Sequence, residues 1–216
     1  MRITPATFKL TKRPAFIAFE GINGCGKTTL HKKVSEYLKS RSIQTIDTRE
    51  PGGTELGKEI RKLLLEWPGA KKSERTELLL FAADRAEHID TLIKPSLANG
   101  AWVLCDRYIY STMAFQGDGR GIKKEWIDQA IALATQGLTP DLVVLLDLDP
   151  SVALSRISKR TDNGKDSFED EELSFHARIR KGFLTCSDTL PVPFLVLDAT
   201  QSPEELFKQT YAVLGV

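Results

Sequence analysis

From Pro14 to the C-terminus, short and almost wholly apolar segments alternate with longer segments of helical period. Ala15–Glu20 (AFIAFE), Ile43–Thr48, Ala101–Cys105 (AWVLC), Asp141–Asp147 (DLVVLLD) and Phe194–Asp198 (FLVLD) have the length and apolar character of buried strands. Between the first two, Lys27 to about Ser40 repeats apolar residues at Leu30, Val34, Tyr37 and Leu38, the spacing of one helix face. Glu55–Leu65 predicts a second helix, with Leu56, Ile60, Leu63 and Leu64 on one side. Ser73–Ala98 predicts a long helix that Pro95 interrupts or kinks, because proline has no N–H to donate. Pro203–Val213 closes the chain as a helix. Strands that lack polar alternation are buried on two faces, as in a parallel sheet covered by helices. The pattern predicts a doubly wound α/β domain: a five-stranded parallel sheet with helices on both faces. Ligands in such sheets sit at the carboxyl ends of the strands, so the residues just after each strand carry the chemistry.

The chain has 216 residues and 41% hydrophobic content, enough for one compact domain over residues 14–216. Residues 1–13 contain no apolar stretch of signal-peptide type and are expected to form a poorly ordered N-terminal extension. Lys plus Arg number 30 against 29 for Asp plus Glu. A nearly neutral chain has no global field for nucleic acid or an anionic membrane, so anions must be bound by local arginines and backbone N–H groups. Cys25, Cys105 and Cys186 form neither a C-x-x-C pair nor a zinc spacing, which points to a reduced, cytoplasmic compartment. No apolar run approaches ~20 residues, so no membrane-spanning helix is expected.

After the first strand comes Gly21-Ile22-Asn23-Gly24-Cys25-Gly26-Lys27-Thr28, a full match to the phosphate-binding loop G-x-x-x-x-G-K-[ST]. Its glycines let backbone N–H groups turn inward on phosphates, and the following helix adds the positive end of its dipole. Gly21, Ile22, Asn23, Gly24, Cys25, Gly26, Lys27, Thr28 and Thr29 are the expected ATP contacts. Lys27 can reach the β- and γ-phosphates, and the Thr28 hydroxyl can bind Mg²⁺. The third strand ends in Asp106-Arg107-Tyr108, where Asp106 is placed to hold Mg²⁺ and Arg107 to grip a phosphate with two parallel hydrogen bonds. A buried Asp–Arg pair that fixes the strand end is the plainer use of the same residues.

The second strand leads into Thr48-Arg49-Glu50-Pro51-Gly52-Gly53, where an arginine and a Pro-Gly-Gly turn can approach an anion; taken alone this is an ordinary turn. Phe81 and Arg85, at i and i+4, share a helix face and suit stacking on a base and bonding to its edge. Core packing with a surface charge would read the same way, and so it is for Thr112, Phe115 and Gln116.

Five segments in order, FEGINGCGKTT at 19–29, TREPGGT at 48–54, LLFAADRAEH at 79–88, DRYIYSTMAFQGDGRG at 106–121 and PDLVVLLDLDP at 140–150, resemble the thymidylate kinase family in its bacterial form. The resemblance covers nearly the whole chain from about Phe16. It implies the P-loop nucleoside monophosphate kinase fold, ATP with Mg²⁺ as phosphoryl donor and dTMP as acceptor. It also implies a homodimer paired through helices that flank the sheet. At matching positions Phe81 stacks on thymine, Arg85 bonds its O4 edge, and Ser111, Thr112, Phe115 and Gln116 line the base and sugar pocket. Arg107, with Arg49 and Arg61, binds the acceptor phosphate, and Pro51 falls where the family commonly has a cis peptide. Residues 156–168 resemble the family's lid, which closes over ATP and supplies an arginine to the transferred group.

Three positions depart from the family pattern. Asn23 replaces the usual acid, Phe115 the usual tyrosine, and Ser167 the usual lid arginine. Arg160 is the expected substitute in the lid, with Arg156 second. The competing readings are a kinase for another pyrimidine nucleoside monophosphate such as dUMP, and a nucleotide-binding switch without phosphotransfer. A nucleic-acid-binding ATPase is disfavoured by the near-zero net charge.

Overall fold

Six parallel strands form the centre of the computed structural model, which describes residues 1–70, 72–159, 168 and 171–216. They are β1 (Arg2–Ile3), β2 (Phe16–Glu20), β3 (Thr45–Arg49), β4 (Trp102–Asp106), β5 (Leu142–Asp147) and β6 (Phe194–Asp198), in the spatial order β1-β6-β5-β2-β4-β3. From β2 the chain moves to one side to make β3 and β4, then to the other to make β5 and β6. Right-handed crossovers in opposite directions put helices on opposite faces of the sheet. The order reverses at β2, so the crevice for ligands opens at its carboxyl end. β2, β4 and β5 lie inside the sheet and are buried along nearly their whole length, which is why they read as unbroken apolar runs. β3, at the edge, alternates half-buried and exposed residues and carries the polar sequence TIDTR.

The helices are α1 (Lys27–Ser40), α2 (Glu55–Leu65), α3 (Glu74–His88), α4 (Lys94–Ala98), α5 (Ile109–Thr112), α6 (Lys124–Thr135), α7 (Pro150–Ser158), α8 (Leu173–Thr189) and α9 (Pro203–Leu214). Thr54, Ser73, Asp149 and Ser202 cap α2, α3, α7 and α9 by accepting from backbone N–H groups one turn on. The long helix expected over Ser73–Ala98 is divided by a π-helical turn at Ile89–Ile93. Pro95 cannot donate into the ladder, and the wider turn before it absorbs the lost bond. A second π-helical stretch, Met113–Gly119, continues α5 and packs against α8. In α2 only Ile60 and Leu64 of the four apolar residues face the core, while Leu56 and Leu63 are exposed. Among the described residues no helix is long and apolar enough to cross a membrane.

The sheet has one strand more than the five expected from the sequence. The sixth lies in the segment read as a loose extension, residues 1–13. Two residues are too few to leave a periodic signal, yet Arg2 and Ile3 pair with Phe194 and Leu195. Farther along, Leu10 N–H donates to the Val213 carbonyl at 2.7 Å, and the Arg13 guanidinium lies 4.6 Å from the Trp102 ring centroid. Ile3 and Leu10 both belong to the buried core. Replacing Leu10 with alanine is therefore expected to lower the unfolding free energy by about 2–3 kcal/mol in urea titrations. A loss below about 0.5 kcal/mol would show that the segment adds nothing to the core.

Candidate active site

The loop between β2 and α1 turns through left-handed backbone at Gly21 (φ +137°), Gly24 (φ +77°) and Gly26 (φ +100°). Gly21 and Gly24 are also sterically required. A Cβ at Gly21 would lie 2.5 Å from the Leu146 carbonyl oxygen of β5, and one at Gly24 would lie 2.7 Å from that of Ala153 in α7. Ile22 and Cys25 bury their side chains in the core, which anchors the loop from below. Gly26 offers α1 no side-chain cap, so the first N–H groups of that helix remain for an anion. Lys27 Nζ donates to the Gly21 and Ile22 carbonyls, each at 3.1 Å, and is nearly enclosed. Thr28 Oγ1 donates to Asp106 Oδ2 at 3.3 Å, and Thr29 beside it is exposed. Two hard oxygen donors therefore meet beside the loop, the ligand type Mg²⁺ prefers.

Arg107 is the first residue beyond β4 and takes a left-handed conformation (φ +75°) rare for a side-chain-bearing residue. Its N–H donates to the Phe19 carbonyl at 2.9 Å. The guanidinium donates through Nη1 to the Gly21 carbonyl (2.9 Å) and Ser111 Oγ (3.0 Å), and through Nη2 to Asn23 Oδ1. Its charge also lies 4.9 Å from the Phe115 ring centroid, so the ring at this position serves as a platform for the cation. Below it is Glu20, a fully buried carboxyl that sequence reasoning missed. Burial pushes its pKa up to about 7, against the pull of Arg107.

Behind Arg107 a cleft brings together Pro51, Arg61, Phe81, Arg85, Arg107, Ser111, Thr112, Phe115 and Gln116. These are all the expected acceptor residues but one. Arg49 is exposed and lies in a different groove, with Thr28, His31 and Asp106. Strand alternation explains the split: Arg49 faces out at the end of β3, while Glu50 next to it is buried. The Glu50–Pro51 peptide is cis, the form implied by the resemblance at Pro51. Arg61 Nη1 donates to the Pro51 carbonyl at 2.9 Å.

Arg85 is buried, and a chain of polar groups makes that possible. Its Nε donates to Glu50 Oε2 at 2.7 Å and its Nη1 to Thr112 Oγ1 at 2.9 Å. Glu50 Oε1 pairs with His88 Nδ1 at 2.9 Å, and His88 Nε2 with Thr48 Oγ1 at 2.7 Å. Such a buried pair is tolerable because each charge keeps a partner. Next to it Asp84 accepts from the Gly52 N–H at 2.9 Å, while its Oδ2 is buried without a hydrogen bond. Burial and then the nearby Glu50 charge raise its pKa from 3.8 to about 6. Glu50, His88 and Cys105 could in principle share a metal, but hydrogen bonds within the protein occupy all three.

At the far wall Phe168 packs edge-on against Phe115 (5.4 Å between centroids) and lies 6.3 Å from Phe81. Gln116 Nε2 donates to Glu77 Oε1 at 2.9 Å. Arg120 pairs with Glu77 and Glu171 and lies over the Phe168 and Phe175 rings. Of the lid residues, Arg156 stands at the end of α7 and donates to the Ala199 carbonyl at 3.0 Å. Arg160 and Ser167 lie outside the described residues. Glu20, Glu50, Asp84, His88 and Arg120 are the site residues that sequence reasoning left out. All five fall inside segments singled out for other residues, and position was the only signal they offered.

A family model described as Thymidylate kinase matches residues 19–210. The thymidylate kinase of Nostoc sp. (strain PCC 7120) is 45% identical over 203 residues, 93% of this chain and 95% of that protein. That of Carboxydothermus hydrogenoformans is 47% identical over 195 residues, 90% of this chain and 94% of its own length. The thymidylate kinase of Gloeobacter violaceus is 44% identical over 204 residues, with 93% and 94% covered.

Asp84 yields a pH prediction. Its folded pKa is raised, so the folded state binds the proton more tightly and stability falls as pH climbs from about 4 through 6. Asp84→Asn keeps an oxygen for the Gly52 N–H and removes the buried charge. The variant is expected to gain about 2 kcal/mol at pH 8 and nothing at pH 4 in denaturant titrations. An equal effect at both pH values would mean that the charge is not the source of the strain.

Proposed function

The chain belongs to the thymidylate kinase family, and on that premise we propose that it transfers the γ-phosphoryl group of ATP to dTMP, giving ADP and dTDP. One observation carries the assignment of roles: the Arg107 guanidinium, which lines the acceptor cleft, also touches the Gly21 carbonyl at the start of the phosphate loop. Donor and acceptor phosphates then meet at one cation.

The acceptor oxygen is already anionic, so the step needs little help from a base. The bond from the γ-phosphorus to the dTMP oxygen forms while the bond to the β–γ bridging oxygen breaks, and ADP leaves with that oxygen. What the protein must supply is position and charge. Lys27 exchanges two neutral carbonyls for the β- and γ-phosphates, a stronger bond because both partners are charged. Arg107 binds the dTMP phosphate, with Arg61 behind it. Thr28 and Asp106 would hold Mg²⁺, which would supply positive charge to offset the charge that develops during transfer. Phe81 stacks on the thymine ring. Arg85, with Nε and Nη1 taken by Glu50 and Thr112, turns its other nitrogen to the O4 edge. Thr112, Phe115 and Gln116 close the sides. Arg160 supplies lid charge to the transferred group, and Arg49 acts from the groove beside Asp106.

We also propose a homodimer and a cytoplasmic setting. The adjacent helices α2, α3 and α6 expose Leu56, Leu63, Leu79, Trp126 and Leu133, and a second copy would cover this apolar surface. Three buried free thiols suit a reducing compartment.

A panel of nucleoside monophosphates in a coupled ADP-release assay tests the reading. dTMP is expected to give the highest kcat/KM, and Lys27→Ala is expected to cut turnover by a factor of about 10² or more while keeping the fold. A higher kcat/KM for dUMP, or full activity in the lysine variant, would overturn it.

A further inference from the structure

Glu20, the last residue of β2, has no part in the mechanism above. It is nevertheless fully buried and in electrostatic reach of Arg107 and Lys27, the two cations of the transfer. Its Oε1 accepts from the Tyr108 N–H at 2.8 Å and the Ser111 N–H at 3.2 Å. Its Oε2 accepts from the Ser111 hydroxyl at 2.6 Å. Because that hydroxyl proton is committed to Glu20, Ser111 Oγ presents only lone pairs to Arg107 Nη1, 3.0 Å away. The order carboxylate, hydroxyl, guanidinium therefore has a fixed polarity. The two backbone bonds hold the residues on either side of the turn that Arg107 opens in its left-handed conformation.

We propose that Glu20 is a positioning residue for the acceptor phosphate: acting through Ser111 and the Tyr108 N–H, it holds the Arg107 guanidinium at the junction of the phosphate loop and the dTMP cleft. The inference rests on the thymidylate kinase reading and adds to it a group that touches neither substrate. A buried carboxylate is costly, and three accepted hydrogen bonds with two neighbouring cations compensate it. Glutamine has nearly the same shape but reverses the relay. If its oxygen serves the two N–H groups, its amide donates to Ser111, and the hydroxyl proton then turns toward Arg107.

The relay also has a pH signature. The ionisable groups around Glu20 are Lys27 from α1, Arg107, Cys105, Tyr108 and Tyr110 around the end of β4, Arg85 from α3 and Cys186 from α8. Burial raises the Tyr and Cys groups well away from neutrality, whereas Glu20 is raised only to about 7. Above that pH all three bonds to the carboxylate stand; as pH falls through it, one oxygen gains a proton and the hold on Arg107 weakens.

The test uses the full chain with Glu20→Gln, Ser111→Ala and the double variant, after turnover of dTMP by the unaltered chain has been verified. Failure at that first step would strike the kinase reading itself, separately from the role of Glu20. Glu20→Gln is expected to lower kcat/KM for dTMP about tenfold, with KM for ATP changed less than about twofold. The ratio of unaltered to variant kcat/KM is expected to be larger at about pH 8 than at about pH 6; the substrates' own phosphate ionisation near pH 6 is common to both and cancels. Ser111→Ala is expected to act in the same direction, and the double variant to lose less than the product of the two single effects. An unchanged kcat/KM for dTMP, an equal rise in KM for ATP, or a pH-independent ratio would overturn the proposal. Should Glu20→Gln fail to fold, Ser111→Ala decides by its pH profile: a loss for dTMP that is larger at about pH 8 than at about pH 6 supports the relay, and no loss or a pH-independent one overturns it.

Discussion

The parallel pairing of β2 with β4 at the centre of the sheet fixes where chemistry can occur. The register sets Phe19 opposite Asp106, so the residues that follow both strands emerge at one point. From that point the phosphate loop leaves in one direction and the Arg107 turn in the other, and they remain joined by the hydrogen bond from Arg107 Nη1 to the Gly21 carbonyl. A slip of one residue would send Arg107 to the opposite face, away from the loop at Gly21. The left-handed backbone at Arg107 costs about 1–2 kcal/mol. The bonds to Phe19 and Glu20 that enclose this turn offset that cost and keep it in place.

The acceptor cleft stands on a layer of buried charge that stability alone would not favour. A buried ion pair is roughly neutral for folding when compared with apolar residues of similar size. Here Arg85 and Glu50 lie with Asp84, whose Oδ2 has no partner, and with His88 completing the chain to β3. Their shared consequence is a rigid guanidinium with two of its three nitrogens spoken for, presented to the cleft. A donor fixed in advance in this way loses little freedom when it binds a ligand.

The sequence made the scaffold legible where its signals were long or tightly spaced. Apolar runs marked all the interior strands, and the loop from Gly21 to Thr28 was identifiable because its glycines and lysine stand at set distances. β1 was invisible because a two-residue strand has no period, and its pairing depends on β6, nearly two hundred positions away. The π-helical turns were invisible for a related reason: they are local accommodations of Pro95 and of packing against α8. The buried acids were illegible on other grounds. Glu20, Glu50 and Asp84 have the composition of surface residues, and only the closing of the sheet and α3 around them turns them into structural anions. Arg49, which the resemblance joins to Arg107, lines a separate groove with Asp106, because alternation along β3 turns it the opposite way from the buried Glu50.

Two of the positions that depart from the family pattern, Asn23 and Phe115, converge on Arg107. Asn23 offers it an amide oxygen and Phe115 an aromatic face. A carboxylate at position 23 in the same contact would form an ion pair with the guanidinium and compete directly with an incoming phosphate. With neutral partners on both sides, the charge of Arg107 is oriented without being neutralised by them. Among the described residues the anion tied to it, Glu20, acts through Ser111 and is in electrostatic reach of both Arg107 and Lys27. The site thereby separates two tasks that one carboxylate would otherwise combine: neutral groups aim the cation in the cleft, and a buried acid balances it from behind, leaving its outward face open to an anion.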